Sequence, residues 1–215
     1  MDRSSWMPNS WVKHTEITIP MGHSRYGGPI IDMPPHVARP VDLEFVAQIN
    51  LGEFSKFDKK DLLPKTGQLI VFADIRKDKG LVIYTDTSSE QLVRHIHEHE
   101  SDFFAGILVG NIRNNSECLR DRLTHSEGGC YSFVSDDGLV WDDFAGSETS
   151  KIFGIPTHCQ WPFSIVKEKI DDDFIVLLQF GENGFNDEGV FSVLIKREHL
   201  KNRDFSSCEF HWAQT

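Results

Sequence analysis

Apolar, β-branched runs separated by turn-forming residues dominate the chain, and they come in two similar sets. In the first set FVAQI (45–49), LIVFA (69–73) and LVIY (81–84) are separated by a polar interval holding Pro64 and Gly67 and by the basic turn RKDKG (76–80). That spacing predicts strand, connection, strand, turn, strand. A similar order returns as FIVLLQF (174–180), the turn GENGFNDEG (181–189), GVFSVLI (189–195), the mixed stretch REHLKNRDF and CEFHWAQ (208–214). Phe45, Ala47 and Ile49 alternate with Val46, Gln48 and Asn50, as in a strand with one fully apolar face, whereas LIVFA is apolar on both faces and is expected to be central. Gln48 and Gln179 stand at comparable places in the two lead strands.

Between these sets the pattern is less regular. Residues 1–40 carry Pro8, Pro20, Pro29, Pro34, Pro35 and Pro40, which break every period, so an irregular leader packed on the core is expected. Asp61 to Pro64 reads as a short helical turn ended before proline. In SSEQLVRHIHEHESDFF (88–104) the apolar Leu92, Ile96, Phe103 and Phe104, with Ser89 as N-cap, predict a helix or broken helical turn. FAGILVGNI (104–112) reads as a further strand or buried loop, and residues 113–150 as a polar insertion with a short strand near 130–134. KIFGIPTHCQWP (151–162) reads as an extended connector, and 171–173 as a solvated turn. The expected architecture is mainly β (α+β), one compact domain over 41–215 built from two related sheet halves, about 41–112 and 151–215, with a few short helices.

Composition narrows the function. Of 215 residues 39% are hydrophobic, enough for one large core, and the net charge is −11. Residues 1–40 hold four Lys/Arg against three Asp/Glu, so the acid lies in 41–215. An acidic body argues against nucleic acid and anionic membranes and suits a basic partner. Four cysteines, at 118, 130, 159 and 208, have neither CxxC spacing nor disulfide-scaffold density and read as reduced thiols. The N-terminal residues lack an apolar stretch of signal-peptide length, so a cytoplasmic protein is expected.

Candidate chemistry is sparse. His95, His97 and His99 would share one face of a strand and could then hold Zn²⁺, but the helical pattern around them spreads the three imidazoles, and a solvated tract is expected instead. Adjacent His158 and Cys159 point to opposite sides of an extended chain, which argues against a thiol dyad. GENGFNDEG offers oxygen ligands without EF-hand spacing and reads as a wide turn, while Gly27-Gly28-Pro29 lacks the Lys-Ser/Thr pair of a phosphate loop. No catalytic residue, metal or cofactor is assigned. Gln48 and Gln179 are expected to satisfy buried backbone groups, or alternatively to line a ligand pocket between the halves. The most unusual composition is SDDGLVWDDFAGSE (135–148), with Asp136, Asp137, Asp142 and Asp143 around Trp141.

SRYGGPIIDMP (24–34), FVAQINL (45–51), LLPKTGQLIVF (62–72), VIYTD (82–86), KIFGIP (151–156), VLLQF (176–180) and NDEGVFSVLI (186–195) occur in this order. As a set they resemble the YwqG-like family, a bacterial domain of unknown function. The chain departs from that family where a Trp-Gly-Asp turn is usual and Phe185, Asn186 and Asp187 stand instead. The resemblance implies a mainly β body of two related halves and carries over no reaction. It also suggests an accessory protein of the kind encoded beside bacterial toxins. The resulting expectation is a non-catalytic immunity-type protein. In it Asp136, Asp137, Asp142 and Asp143 mimic substrate phosphates over the basic active site of a toxin domain, and Trp141 is an apolar anchor.

Overall fold

The alternating runs form the strands expected of them. β4 (Glu44–Asn50), β5 (Gln68–Asp74) and β6 (Lys79–Thr85) are an antiparallel meander, as are β12 (Phe174–Phe180), β13 (Gly189–Lys196) and β14 (Glu209–Gln214). The computed structural model describes residues 2–12, 19–96, 106–121, 131–135, 140–141, 150–156, 161, 163–181 and 189–214. Each meander continues into a shorter strand, β2 (Arg25–Tyr26) beside β4 and β11 (Ser150–Phe153) beside β12. β1 (Asp2–Val12) and β8 (Gly106–Asp121) join the two halves, giving the order β14-β13-β12-β11-β1-β8-β2-β4-β5-β6. β9 (Tyr131–Ser135) pairs with the far end of β8, and β10 (Val140–Trp141) pairs with β9. β3 (Ile30–Met33) and β7 (Val93–Ile96) form a separate two-stranded ribbon.

The sheet curls so that its halves enclose one core. Tyr26 of β2 stacks on Phe180 of β12 with ring centroids 5.2 Å apart, and one apolar cluster runs from Ala47, Leu69 and Val71 to Leu178, Phe191 and Phe210. The two end strands also meet, since the backbone N–H of Trp212 donates to Asp78 at 3.3 Å. Each half has a second, outer layer. The ribbon covers the first half, with Ile31 and Met33 on Phe45, Ile70 and Phe72. In the second half α2 (Phe163–Asp171) packs on β12, burying Val166.

Several expectations are corrected. The leader is not irregular: it supplies β1, β2 and β3. Where a helix or broken helical turn was expected after residue 88, the helical part is limited to a 3-10 turn at Ser89–Gln91, which leads into β7 because pairing with β3 outweighs a weak helical period. Ile96, meant for the buried helical face, is 52% exposed. No helical turn forms at 61–64. Asp61 takes a left-handed φ of 52°, and the Asp58 carboxylate organises the loop by accepting from the N–H groups of Lys60 and Leu63. The helical residues lie earlier, in α1 (Leu51–Phe54), capped by the Asn50 side chain. α2 occupies a stretch to which no element was assigned from sequence, and α3 (Arg197–Lys201) follows β13. The boundary drawn for the polar insertion at 113 falls inside β8.

Candidate functional site

The buried charges gather where the ribbon docks on the first half. Arg25 and Gln48 face each other across β2 and β4, so their side chains share the outer face of the sheet. Asp32, centred in β3 between apolar neighbours, enters that face from the ribbon and is fully buried, and Arg25 is 2% exposed. Gln48 joins them: its Oε1 accepts from Arg25 Nη2 at 3.0 Å and from the Asp32 backbone N–H at 3.0 Å, while its Nε2 donates to Gln68 Oε1 at 3.4 Å. Arg25 Nε also donates to the Ile30 carbonyl at 3.0 Å and Nη1 to the His23 carbonyl at 3.1 Å. Asp32 Oδ1 accepts from Arg94 Nε at 2.7 Å, and Oδ2 accepts from Arg94 Nη2 at 2.9 Å and Gly22 N–H at 2.8 Å, with Arg25 Nη2 at 3.1 Å.

Two guanidiniums therefore flank one carboxylate. Burial alone would raise the Asp32 pKa, but the Arg94 hydrogen bonds, the Arg25 charge and the Gly22 N–H together hold it below the ordinary value. Burial lowers that of Arg25, against the pull of Asp32. Arg94 also donates to the Ile19 carbonyl at 2.8 Å, tying the segment before β2 to the ribbon. Beside this cluster His23 Nδ1 meets Glu53 Oε1 at 2.8 Å, and that bond raises the imidazole pKa. The arrangement is a closed structural lock, because every named group is engaged by protein atoms.

An equivalent device stands in the second half. Lys151 and Gln179 face each other across β11 and β12, 1% and 0% exposed, as Arg25 and Gln48 do across β2 and β4. Lys151 Nζ donates to the Ile155 carbonyl at 2.7 Å, much as Arg25 reaches Ile30. The register then extends both rows. In the first half Gln48 is opposite Ile70 and Ile70 opposite Ile83, whereas in the second Gln179 is opposite Ser192 and Ser192 opposite His211. One row ends apolar under the ribbon and the other stays polar.

The polar row ends in a half-buried group of titrating side chains. His211 Nε2 lies 3.2 Å from Glu209 Oε2, which Lys169 Nζ of α2 also reaches at 2.5 Å, and Trp161 packs edge-on against the imidazole at 4.7 Å. Burial lowers the His211 pKa, against the Glu209 contact. Glu209 is held low by Lys169 and His211, although burial acts the other way. The Ser192 hydroxyl is buried and has no hydrogen-bond partner among the described residues.

Of the residues singled out from sequence, Gln48 and Gln179 occupy equivalent buried positions, each beside a buried cation. Gln48 satisfies a backbone N–H, as expected, and also an ion pair that no local pattern revealed. His95 is exposed on β7, while His97 and His99 lie outside the described residues. Trp141 is placed by its backbone in β10, opposite Phe133 of β9. Asp136, Asp137, Asp142 and Asp143 lie outside the described residues, as do His158, Cys159 and 182–188. Sequence reasoning missed Arg25, Asp32 and Arg94. The available signal was Asp32 standing alone in the apolar run PIIDMP, since an isolated acid among buried positions requires a cation.

A family model described as a domain of unknown function, DUF1963, matches residues 24–213. No curated protein matches the chain. No helix among the described residues is long and apolar enough to cross a membrane.

Proposed function

Since the chain belongs to the DUF1963 family, whose description assigns no reaction, we propose from the molecule itself that it is a non-catalytic binding protein that captures a basic protein partner through a localised acidic segment. The finer assignments follow the YwqG-like resemblance: a bacterial, cytoplasmic, immunity-type protein whose partner is a basic toxin domain.

The observation that carries this reading is where the charge resides. Residues 97–149 hold eleven Asp/Glu against three Lys/Arg, and 182–188 add three acids and no base. These two stretches account for the entire net charge of −11, and the rest of the chain is balanced at nineteen of each sign. Solubility alone would be served by acid spread over the surface. Acid concentrated in two excursions of the chain, most of it in the first, suits steering toward a basic patch. β8, β9 and β10 belong to that excursion, with Asp136 and Asp137 between β9 and β10 and Asp142 and Asp143 directly after β10.

The alternative, a ligand or enzyme pocket using Gln48 and Gln179, is weakened at Gln48, whose amide is committed to Arg25, Asp32 and Gln68. A pull-down of the purified chain from its own cell lysate at low and high salt, read by mass spectrometry, tests the proposal. One stoichiometric basic partner released by salt is expected. Changing Asp136, Asp137, Asp142 and Asp143 to Asn should then weaken binding and flatten its salt dependence. Unchanged affinity and salt dependence in that variant would remove the acidic segment from the mechanism.

A further inference from the structure

β1 fills the centre of the large sheet, antiparallel to β8 on one side and to β11 on the other. Its sequence and its ladders suit that position poorly. Six of its eleven residues are polar, where β12 has one in seven. Pro8 stands opposite Val109 and has no N–H to give to the ladder. The pairing with β8 shifts register on both sides of that proline, and the ladder with β11 spans four residues, Arg3–Trp6. β5 and β6, by contrast, pair over seven consecutive residues without a shift. The family match over 24–213 takes in both walls of this slot, β8 and β11, and begins after β1.

The same two walls are the strands beside which the acid lies in the chain. Residues 97–105, with three acids and no base, lead into β8, and 122–149, with six acids and one base, connect β8 to β11. β8 itself is neutral, with two residues of each sign. The three acids of 182–188 follow β12, the next strand beyond β11. An extended segment between β8 and β11 is thus bordered along the chain by acidic sequence at both ends of β8 and at the start of β11. We propose that the slot between β8 and β11 is a strand-acceptor site, in which an extended basic segment of the captured protein takes the place of β1 and runs antiparallel to both walls. This rests on the capture reading above and supplies its docking mode. Backbone hydrogen bonds to β8 and β11 hold the segment, and the acidic stretches select a basic one. β1 is the built-in competitor that keeps two strand edges from pairing indiscriminately.

Two fluorescein-labelled peptides added to the full chain test the assignment: residues 2–12 flanked by two lysines at each end, and the same residues flanked by two glutamates at each end. By anisotropy at low salt the lysine peptide should bind one-to-one, about tenfold or more tightly than the glutamate peptide, and high salt should shrink that difference. Hydrogen exchange read by mass spectrometry should then show the chain's own residues 2–12 losing protection while β8 and β11 keep theirs. Ser5 pairs with Lys151 of β11 and with Arg113 of β8, so Ser5→Pro in the full chain should loosen β1 and speed peptide uptake about tenfold or more. The proposal is overturned if the lysine peptide fails to bind the parent chain, if it binds while residues 2–12 stay protected, or if the glutamate peptide binds equally well. A dimer that exchanges β1 between copies and takes up no peptide would assign the slot to a second copy instead and overturn it as well. None of these readouts needs the cellular partner. A partner captured with residues 2–12 still protected would remove the slot and leave capture standing, whereas an empty pull-down beside peptide uptake would do the reverse.

Discussion

Replacing Asp32 with Asn keeps the side-chain shape and removes the carboxylate that, among the described residues, bridges Arg25 and Arg94 in the ribbon cluster. Arg25 is 2% exposed, so its charge would stay out of water with only Gln48 and two carbonyls as acceptors. The Asn NH₂ would also point a donor toward Arg94 where an acceptor stood. Breaking a buried ion pair from one side costs ~3–5 kcal/mol, and at this chain length each kcal/mol lowers Tm by about 2–4 °C. A fall of roughly 6–20 °C is the product. Urea unfolding of parent and variant between pH 2 and pH 7 is the assay. The folded-state pKa of Asp32 is depressed, so its contribution is fully present above the unfolded value near 4 and is lost as pH falls through the folded one. The stability gap should therefore be full at pH 7 and close as the parent is acidified below about pH 4. A gap under about 1 kcal/mol at pH 7, or one that does not change on acidification, would refute the reading of Asp32 as the charged centre of the cluster.

Other outcomes follow from single sites. Gly67 sits at φ +100°, where a Cβ would collide with the carbonyl oxygen of Thr85, so Gly67→Ala should cost about 1–3 kcal/mol or more in urea unfolding. His23 has a raised pKa through Glu53, so the pair stabilises fully below the unfolded value near 6.5 and its contribution is lost as pH rises through the folded one. With both side chains about a third exposed the effect is under about 1 kcal/mol, and Glu53→Gln should lower Tm more at pH 5.5 than at pH 8.5. Burial pushes the Cys208 thiol up to about 12. Its peptide should therefore be alkylated far more slowly at pH 8 than in the urea-unfolded chain, as read by mass spectrometry.

What could be read from sequence was whatever repeats at short range. β4, β5, β6, β12, β13 and β14 were legible because alternation and β-branched runs survive in each, and α3 because its charged residues interrupt two strands. β7 was not, since Val-Arg-His-Ile fits either period and only its pairing with Ile30–Met33 decides the matter. β1 was hidden by Pro8 and by the register shifts it makes against β8. The ion cluster was illegible for a different reason: Arg25, Asp32 and Arg94 are separated by 7 and 62 residues, and nothing local announces that they meet. Gln48 could be recognised as a polar residue on an apolar strand, but not the ion pair it serves.

The repeat of cation and glutamine in both halves shows one fold unit carrying two different outer rows. In each half a buried cation lies on the short strand and a glutamine beside it on the lead strand, and in the first half the neutral Gln48 bridges Arg25 and the Asp32 backbone without adding charge. The first half closes its own device with Asp32 and continues the row with Ile70 and Ile83, which the ribbon covers. That half is committed to stability, and mutations there should be read by unfolding. The second half carries Ser192 and His211 at the same positions, so its row stays polar, and burial lowers the pKa of the histidine. Since the acid lies in 97–149 and 182–188 and the rest of the chain is charge-balanced, capture of a basic partner and the stability of the ribbon cluster are physically separable. Asn substitutions at Asp136, Asp137, Asp142 and Asp143 should change association and its salt dependence while leaving the melting temperature at the parent's value, and Asp32→Asn should lower the melting temperature while leaving the salt dependence of association intact.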